Sequence, residues 1–406
     1  MTQTSRRNLL IILILGAMST VSPFSIDMYL PAFPEIAADL GTTPAAISLS
    51  VSGYFVGLAL GQLFYGPLLD RFGRKPPLYA GLSVFALASL GCALVRSPTL
   101  FIALRLAQAL GGCVAQVGAV TMVRDFFPAE ASARVLSLLV LVLSVSPLFA
   151  PTLGSVVSTT LGWPWIFVVL AAFALFVIAV TAALLPHGHE PDTSLSLRPG
   201  AVLAGFRDVI VNRQFATYAV GGAFSFAGLF VYVTGSPIIF IDKFHVGPRA
   251  YGLIFAGLAC GFIGGSQLNH WLSRRYRSAT IFTVAALCQT VLILVLVIGA
   301  FNDWYDLTAN IVLLLLYLPF CGLAYPNAAA TALSPFTRNV GSAAALLGFL
   351  QMGIGALAST GVGFLHAADT GPIYAVMAAT AITGFAIVLA GRFLEHNRFR
   401  LNRLPL

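Results

Sequence analysis

The sequence predicts an all-α membrane protein with twelve transmembrane helices, and three observations support that fold class. Of the 406 residues, 58% are hydrophobic and 9% are charged, whereas soluble chains carry about 25% charged residues. The hydrophobic residues form runs long enough to cross a bilayer, which takes about 20 residues as a helix. In lipid, backbone N–H and C=O groups find hydrogen-bond partners only within helices or closed barrels. Because the strands of a membrane barrel are only about 9–11 residues long, runs of this length are helices.

Twelve such runs follow one another with short gaps between them. They cover residues 9–32, 45–68, 76–95, 98–122, 133–158, 163–185, 214–240, 249–272, 279–301, 308–330, 341–366 and 371–394. The first run follows Arg6 and Arg7 in a pattern that superficially resembles an export signal. Because eleven further runs follow it, we predict that it is the first membrane helix.

The longest polar stretch, residues 186–213, divides the runs into six and six. We predict a six-helix bundle over 1–185, a cytoplasmic linker over 186–213, a second six-helix bundle over 214–395 and a basic cytoplasmic tail over 396–406. The segment at residues 57–61 in helix two recurs at residues 257–261 in helix eight. This internal repeat indicates two pseudo-symmetric halves, an architecture found in transporters.

Basic residues predict the orientation of the chain. Of the 22 Lys and Arg residues, eighteen fall on the side of the N-terminus and three on the opposite side, so both termini are predicted to be cytoplasmic. The pI near 9.5 then reflects topology. A nucleic-acid site needs basic residues clustered on one soluble surface, so no nucleic-acid partner is predicted.

Metal and cofactor sites are not indicated. The five cysteines lie within apolar runs, without metal or redox spacing. His187 and His189 stand two apart in the linker and supply no metal geometry without further ligands. We predict no cofactor, with a proton gradient as the energy source.

Two ionisable residues lie deep in the predicted helices, Asp27 and Arg105. Each costs at least about 2.5–3.5 kcal/mol on insertion scales. From the helix rise, Asp27 lies about 13 Å and Arg105 about 10 Å below the outer ends of their helices. We hypothesise that they face one cavity, interact directly or through water, and couple transport to protons. The alternative is that Asp27 only caps its helix before Pro31 and Pro34.

A polar stripe runs along helix four. Arg105, Gln108, Gly112 and Gln116 share one helix face, which lipid would not tolerate. The stripe is predicted to line a cavity. The alternative is a structural seam of hydrogen bonds between helices.

The loop between helices two and three carries a specific string from Gly66 to Lys75. Its glycines allow a tight turn against neighbouring helices, and Asp70 can face the positive end of another helix. We predict a conformational latch formed by Gly66, Asp70, Arg71, Gly73 and Arg74. An ordinary basic cytoplasmic loop is the alternative.

Helix five contains Pro147 and Pro151, four residues apart, followed by Gly154. Proline kinks a helix and a small residue permits close packing. We therefore predict a kinked helix five that packs closely against a neighbour.

These motifs together resemble the major facilitator superfamily, and within it the drug:proton antiporters of the bicyclomycin-resistance (Bcr/CflA) type. The matching segments are residues 66–75, 105–111, 27–32, 146–154 and 341–351, although Leu69 and Ala150 depart from the usual residues. The resemblance implies the major facilitator fold, proton coupling through the helix-four arginine, export rather than uptake, a monomer, and a bacterial inner membrane.

Residues that contact substrate are harder to identify. Aromatic faces and isolated amides suit amphipathic ligands, and the candidates are Tyr29, Tyr54, Gln108, Gln116, Phe226, Phe230, Tyr232, Asn327 and Gln351. Helix packing is the alternative role for each of them.

The expected function is export of small amphipathic drugs in exchange for protons. The expected partners are the small-molecule substrate, protons and the surrounding membrane lipid. One alternative is export of an endogenous metabolite such as an amino acid derivative, whose carboxylate would bind Arg105 directly. A membrane-embedded transferase is a second alternative, but the sequence shows no nucleophile and base at catalytic spacing.

Overall fold

The computed structural model describes residues 3–186, 191, 206–336, 340–365 and 369–401. Within these residues, twelve helices are long and apolar enough to cross a membrane. They are α1 (Gln3–Asp27), α2 (Pro44–Arg71), α3 (Lys75–Leu94), α4 (Pro98–Phe126), α5 (Ala129–Leu161), α6 (Pro164–Leu184), α7 (Arg213–Pro237), α8 (Pro248–Leu272), α9 (Ser278–Phe301), α10 (Leu307–Leu333), α11 (Val340–Phe364) and α12 (Thr370–Leu401). The twelve predicted membrane helices are confirmed.

Two spans are interrupted near one end. After Asp27 the chain passes through a 3-10 turn, Leu30–Ala32, into a short helix, Phe33–Asp39. Pro31 and Pro34 explain the break, since proline has no N–H and restrains the residue before it. A π-helical turn, Ile238–Lys243, continues α7 beyond Pro237.

The predicted linker and tail are only partly described. His187, His189 and most of the linker lie outside the described residues. The final helix, α12, continues to Leu401, beyond the end expected from hydropathy at residue 394.

Contacts divide the chain into two compact units. The first unit contains Met1–Arg198 and Ser236–Ala259, and the second contains Pro199–Gly235 and Cys260–Leu406. The first unit therefore includes the π-helical turn after α7 and the first half of α8.

Glycines place α4 in the middle of the first unit. A Cβ on Gly57 of α2 would collide with α4 at the carbonyl of Leu106, and a Cβ on Gly111 of α4 would collide with the backbone of α3 at Gly81 and Phe85. Because α2 and α3 both approach α4 backbone to backbone, Arg105 and Gln108 of α4 are fully buried.

Close packing of α5 is also observed. Pro147 and Pro151 lie inside a continuous helix, and a Cβ on Gly154 would collide with the carbonyl of Met28. This contact brings α5 against the chain just after Asp27.

The second unit has its own core. Phe215 of α7, Phe282 of α9 and Ala324 of α10 belong to one buried apolar cluster. A Cβ on Gly322 of α10 would collide with the carbonyl of Phe262 in α8, so these two helices also meet at a glycine.

Candidate functional site

Arg105 is fully buried in α4 and fastens that helix to α1. Its guanidinium donates to the Ser25 hydroxyl at 2.8 Å and to the Ser25 carbonyl at 2.9 Å. It also donates to Oε1 of Gln108. The Nε atom of Arg105 has no hydrogen-bond partner within the described residues.

Two tyrosine rings enclose the same guanidinium. Its central carbon lies 4.2 Å from the ring centroid of Tyr29 and 4.4 Å from that of Tyr54, with Phe167 at 5.7 Å. Both tyrosines are fully buried. A cation over an aromatic face is stabilised most when it is removed from water, so the rings compensate part of the cost of burying Arg105. We call Tyr29 and Tyr54 the tyrosine clamp.

The Tyr29 hydroxyl contacts the Ser50 hydroxyl at 2.8 Å. The Ser50 hydroxyl donates its own proton to the Ile47 carbonyl at 2.6 Å, so Tyr29 is the donor in the pair. This bond orients the Tyr29 ring from α2.

Gln108 extends the network to α3. Its Oε1 accepts from Arg105, and its Nε2 donates to the Ser89 hydroxyl at 2.6 Å. The bond to Ser89 joins α4 to α3, as in the seam considered as an alternative, whereas the bond from Arg105 lies within α4. Gln116, two turns further along α4, is only partly buried.

Asp27 is 5% exposed at the end of α1. Among the described residues its carboxylate has no hydrogen-bond or ion-pair partner, and the hypothesised direct interaction with Arg105 is not formed. Comparing depths was insufficient, because Asp27 follows Ser25 by two positions and so points about 200° around the helix from it. Asp27 lies near Tyr251 of the same unit, whose hydroxyl bonds to Ser236 at 2.8 Å.

The predicted latch is centred on Arg74. Its Nη1 donates to Asp70 at 2.6 Å, while Nε and Nη2 donate to the two carboxylate oxygens of Asp125 at 2.7 and 3.2 Å. Burial lowers the pKa of Arg74, but the hydrogen bonds to Asp125 and Asp70 raise it by more. Asp125, at the end of α4, was missed by sequence reasoning, because its partner stands 51 residues away.

The other latch residues have different surroundings. Gly73 has a φ of +81°, which glycine adopts without strain. Arg71 stacks over the Phe72 ring at 5.8 Å. Gly66 lies within α2 with open space around its Cα, so close packing against a neighbouring helix does not explain this glycine.

The aromatic candidates of the second unit lie on α7. Phe226 is 5.2 Å from Phe230 and 4.7 Å from Tyr325, between ring centroids. Tyr232, further along α7, is buried.

The amide candidates of this unit lie on α10 and α11. Asn327 donates to Oδ1 of Asn269 at 2.6 Å. Gln351 is 3% exposed, and its Nε2 has no partner in the described part of the chain.

The second unit also contains a polar seam between helices, formed by Ser225 and Gln289. It matches the Arg105 network of the first unit in sequence position but not in charge. Ser225 and Gln289 stand 200 residues after Ser25 and Ser89. Ser225 donates to Gln289, and Gln289 donates to Sγ of Cys321 at 3.1 Å. The repeat therefore preserves a polar seam, and among the described residues the seam contains a buried arginine in the first unit alone.

No group of three or more His, Cys, Asp or Glu side chains suited to a metal ion occurs in the described ranges. Those ranges exclude His187 and His189.

The twelve helices of spanning length in the described residues define a multi-pass membrane protein. The matching polar seams of its two units fit the paired halves found in transporters. The chain belongs to the Major Facilitator Superfamily, whose family model matches residues 15–360. It is therefore a membrane transporter of small molecules rather than an enzyme.

Similar curated proteins include a bicyclomycin resistance protein homolog from Haemophilus influenzae, 29% identical with 96% of this chain and 97% of that protein covered. The multidrug resistance protein MdtL of Shewanella oneidensis is 27% identical, with coverage of 91% and 92%. A chloramphenicol resistance protein of Pseudomonas aeruginosa is 31% identical, with coverage of 62% and 59%.

Solved structures with the same fold include a D-xylose-proton symporter, with a TM-score of 0.73, 13% identity and coverage of 95% and 96%. The nucleoside transporter NupG gives a TM-score of 0.74 at 12% identity, with coverage of 94% and 99%. These similarities confirm the fold class predicted from the sequence.

Proposed function

We propose that the protein exports small amphipathic drugs across the bacterial inner membrane in exchange for protons, by alternating access, as a monomer with both termini in the cytoplasm. Relatives named for resistance to bicyclomycin, chloramphenicol and multiple drugs support the substrate class. The observation that carries proton coupling is the buried carboxylate of Asp27, which has no hydrogen-bond or ion-pair partner among the described residues.

An unpaired charge is costly to bury. Asp27 therefore holds its proton while the surrounding helices enclose it and releases the proton where water reaches it. A drug that binds beside the deprotonated carboxylate competes with the proton for the same group. Such competition links the two fluxes, because each ligand shifts the conformational equilibrium through its differential affinity for the two states.

Arg105 has a supporting role in this proposal. It is bonded to Ser25, two residues before Asp27, and is enclosed by the tyrosine clamp. It fixes α1 to α4, so a movement of α1 that follows protonation of Asp27 is transmitted to the rest of the unit. The Arg74 ion pairs hold the cytoplasmic ends of α2 and α4 together during that movement.

Export of an endogenous metabolite remains the second candidate. A substrate carboxylate would need to reach Arg105, which is fully buried beneath two rings in this conformation. The geometry therefore favours neutral or cationic drugs over carboxylates.

Inverted membrane vesicles test the proposal. The lumen is acidified, a pH-sensitive dye reports proton efflux, and a panel of neutral and cationic antibiotics is added. We expect dequenching with one or more compounds for the wild type and for Asp208→Asn, an exposed control position, and none for Asp27→Asn. Silence of well-folded wild type across the panel contradicts drug export, and equal signals from Asp27→Asn contradict the role of Asp27.

A further inference from the structure

A long apolar groove lies in the first unit between α1, α5 and α6. Its volume is about 530 Å³. The residues that line it include Ala17 and Phe24 of α1, Leu139 of α5, and Leu170 and Phe173 of α6. The groove is separate from the Arg105 network and has no part in the proposed transport mechanism.

The groove is long. Its lining residues on α1 extend from Ile12 to Phe24, which is about 18 Å along a helix, and Met28, just after α1, lines it as well. A groove of this length suits an elongated ligand such as a hydrocarbon chain.

The lining offers nothing to orient a polar ligand. Thr20 is the one lining residue with a polar side chain, and its hydroxyl donates to the Ala17 carbonyl at 2.9 Å. Drug sites contain a few placed polar groups, which this groove lacks. An apolar chain without hydrogen-bonding groups fits it.

The groove opens to the surface that faces the bilayer. Leu13, Leu138 and Leu153 line it and are 62%, 39% and 46% exposed. All three belong to membrane-spanning segments, where the surrounding solvent is hydrocarbon. A chain from the bilayer can enter sideways.

Cations mark one end of the groove. Arg134 is exposed and stands one helical turn before Leu138, so the two side chains are neighbours. Arg7 is exposed near the start of α1, on the same side of the membrane. Each basic residue near the surface attracts anionic lipid headgroups.

We infer that the groove between α1, α5 and α6 binds one acyl chain of an anionic phospholipid, whose phosphate lies near Arg134 at the cytoplasmic surface. The side of the membrane follows from the proposed orientation, and nothing else in this inference depends on the proposed transport activity. A lipid seated there packs along α1 as far as Met28, next to Asp27.

Binding of phosphatidylglycerol and phosphatidylcholine to the purified full-length protein tests this assignment, with native mass spectrometry as the measure of bound lipid. Wild type is expected to retain phosphatidylglycerol more strongly than phosphatidylcholine. Ala17→Phe fills the groove and should remove this binding. Arg134→Gln should weaken phosphatidylglycerol binding about fivefold, since one cation is lost, and leave phosphatidylcholine binding unchanged.

Two controls carry the same substitutions at exposed positions outside the groove, Ala80→Phe on α3 and Arg277→Gln before α9. Both should bind lipid as the wild type does. Val169→Phe, at the exposed rim of the groove, replaces Ala17→Phe if the latter does not fold. The inference is overturned if the groove-filling variants retain phosphatidylglycerol, or if both lipids bind equally to the wild type. If a transported drug displaces the bound lipid and occupies the groove to the same extent, the groove is a substrate site and the inference is overturned.

Discussion

Removing the Tyr29 ring should destabilise the protein far more than removing its hydroxyl. The ring is fully buried and its centroid lies 4.2 Å from the Arg105 guanidinium carbon. A desolvated cation–π contact is worth about 2 kcal/mol or more. The hydroxyl donates one neutral hydrogen bond to Ser50, worth about 0.5–1.5 kcal/mol.

The two contributions separate in two variants. Tyr29→Phe keeps the ring, and Ser50 still donates to Ile47, so the loss should be near the lower limit, about 0.5 kcal/mol. Tyr29→Leu also removes the cation–π contact and should cost about 2.5 kcal/mol or more. The difference of about 2 kcal/mol reports the contribution of the ring.

Thermal unfolding of the purified protein in detergent, followed by circular dichroism, provides the measurement. The unfolding transition of Tyr29→Phe should stay close to that of the wild type, while Tyr29→Leu should unfold at a clearly lower temperature. Equal destabilisation by both variants would refute the reasoning, because the hydroxyl rather than the ring would then hold Arg105.

Three further predictions follow from the same contacts. Gly154→Leu should lower the unfolding temperature in detergent, since its Cβ meets the Met28 carbonyl and overpacking costs about 1–3 kcal/mol or more; an unchanged melting curve would contradict this close approach. Asp125→Asn should lower the free energy of unfolding by about 2 kcal/mol, because it breaks a two-oxygen contact with Arg74, which is 8% exposed. Asp70→Asn, at a side chain 49% exposed, should lower it by less than about 1 kcal/mol. Urea unfolding should show the larger loss for Asp125→Asn, and the reverse order would be inconsistent with the geometry. Ser25→Ala removes a hydrogen bond to a cation, worth about 1.5–3 kcal/mol, whereas Ser225→Ala removes a hydrogen bond to a neutral amide, worth about 1 kcal/mol. The melting temperature should therefore fall further for Ser25→Ala. Equal losses would mean that the charge of Arg105 adds nothing to the bond.

Hydropathy was enough to predict the twelve helices, because a bilayer imposes a minimum length on every span. The break at Pro31 and Pro34 was considered only as part of the alternative role for Asp27, and the predicted run continued to residue 32. Hydropathy gave no sign of the π-helical turn after Pro237, since its first residues, Ile238, Ile239 and Phe240, are as apolar as the helix before them.

The buried ionisable residues were found from sequence, but their partners were not. Sequence reasoning compared the depths of Asp27 and Arg105 along their helices but not the directions in which their side chains point around the helix axes. Those directions bring Arg105 to Ser25 rather than to Asp27. Sequence reasoning proposed Tyr29 and Tyr54 as substrate contacts and did not foresee their contact with Arg105, because an aromatic near a motif gives no indication of which cation it covers. Contacts 51 or 80 residues apart are set by packing of α1, α2 and α4 and leave no local pattern.

The central claim is that a drug and a proton compete for Asp27, and proton release on drug binding tests it most directly. Purified protein in weakly buffered detergent solution is mixed with a drug that gives a signal in the vesicle assay, and a pH indicator records the released protons. The account predicts release from the wild type and from Asp208→Asn, with none from Asp27→Asn although the drug still binds. Equal release from Asp27→Asn would show that the proton comes from another group and would contradict the account.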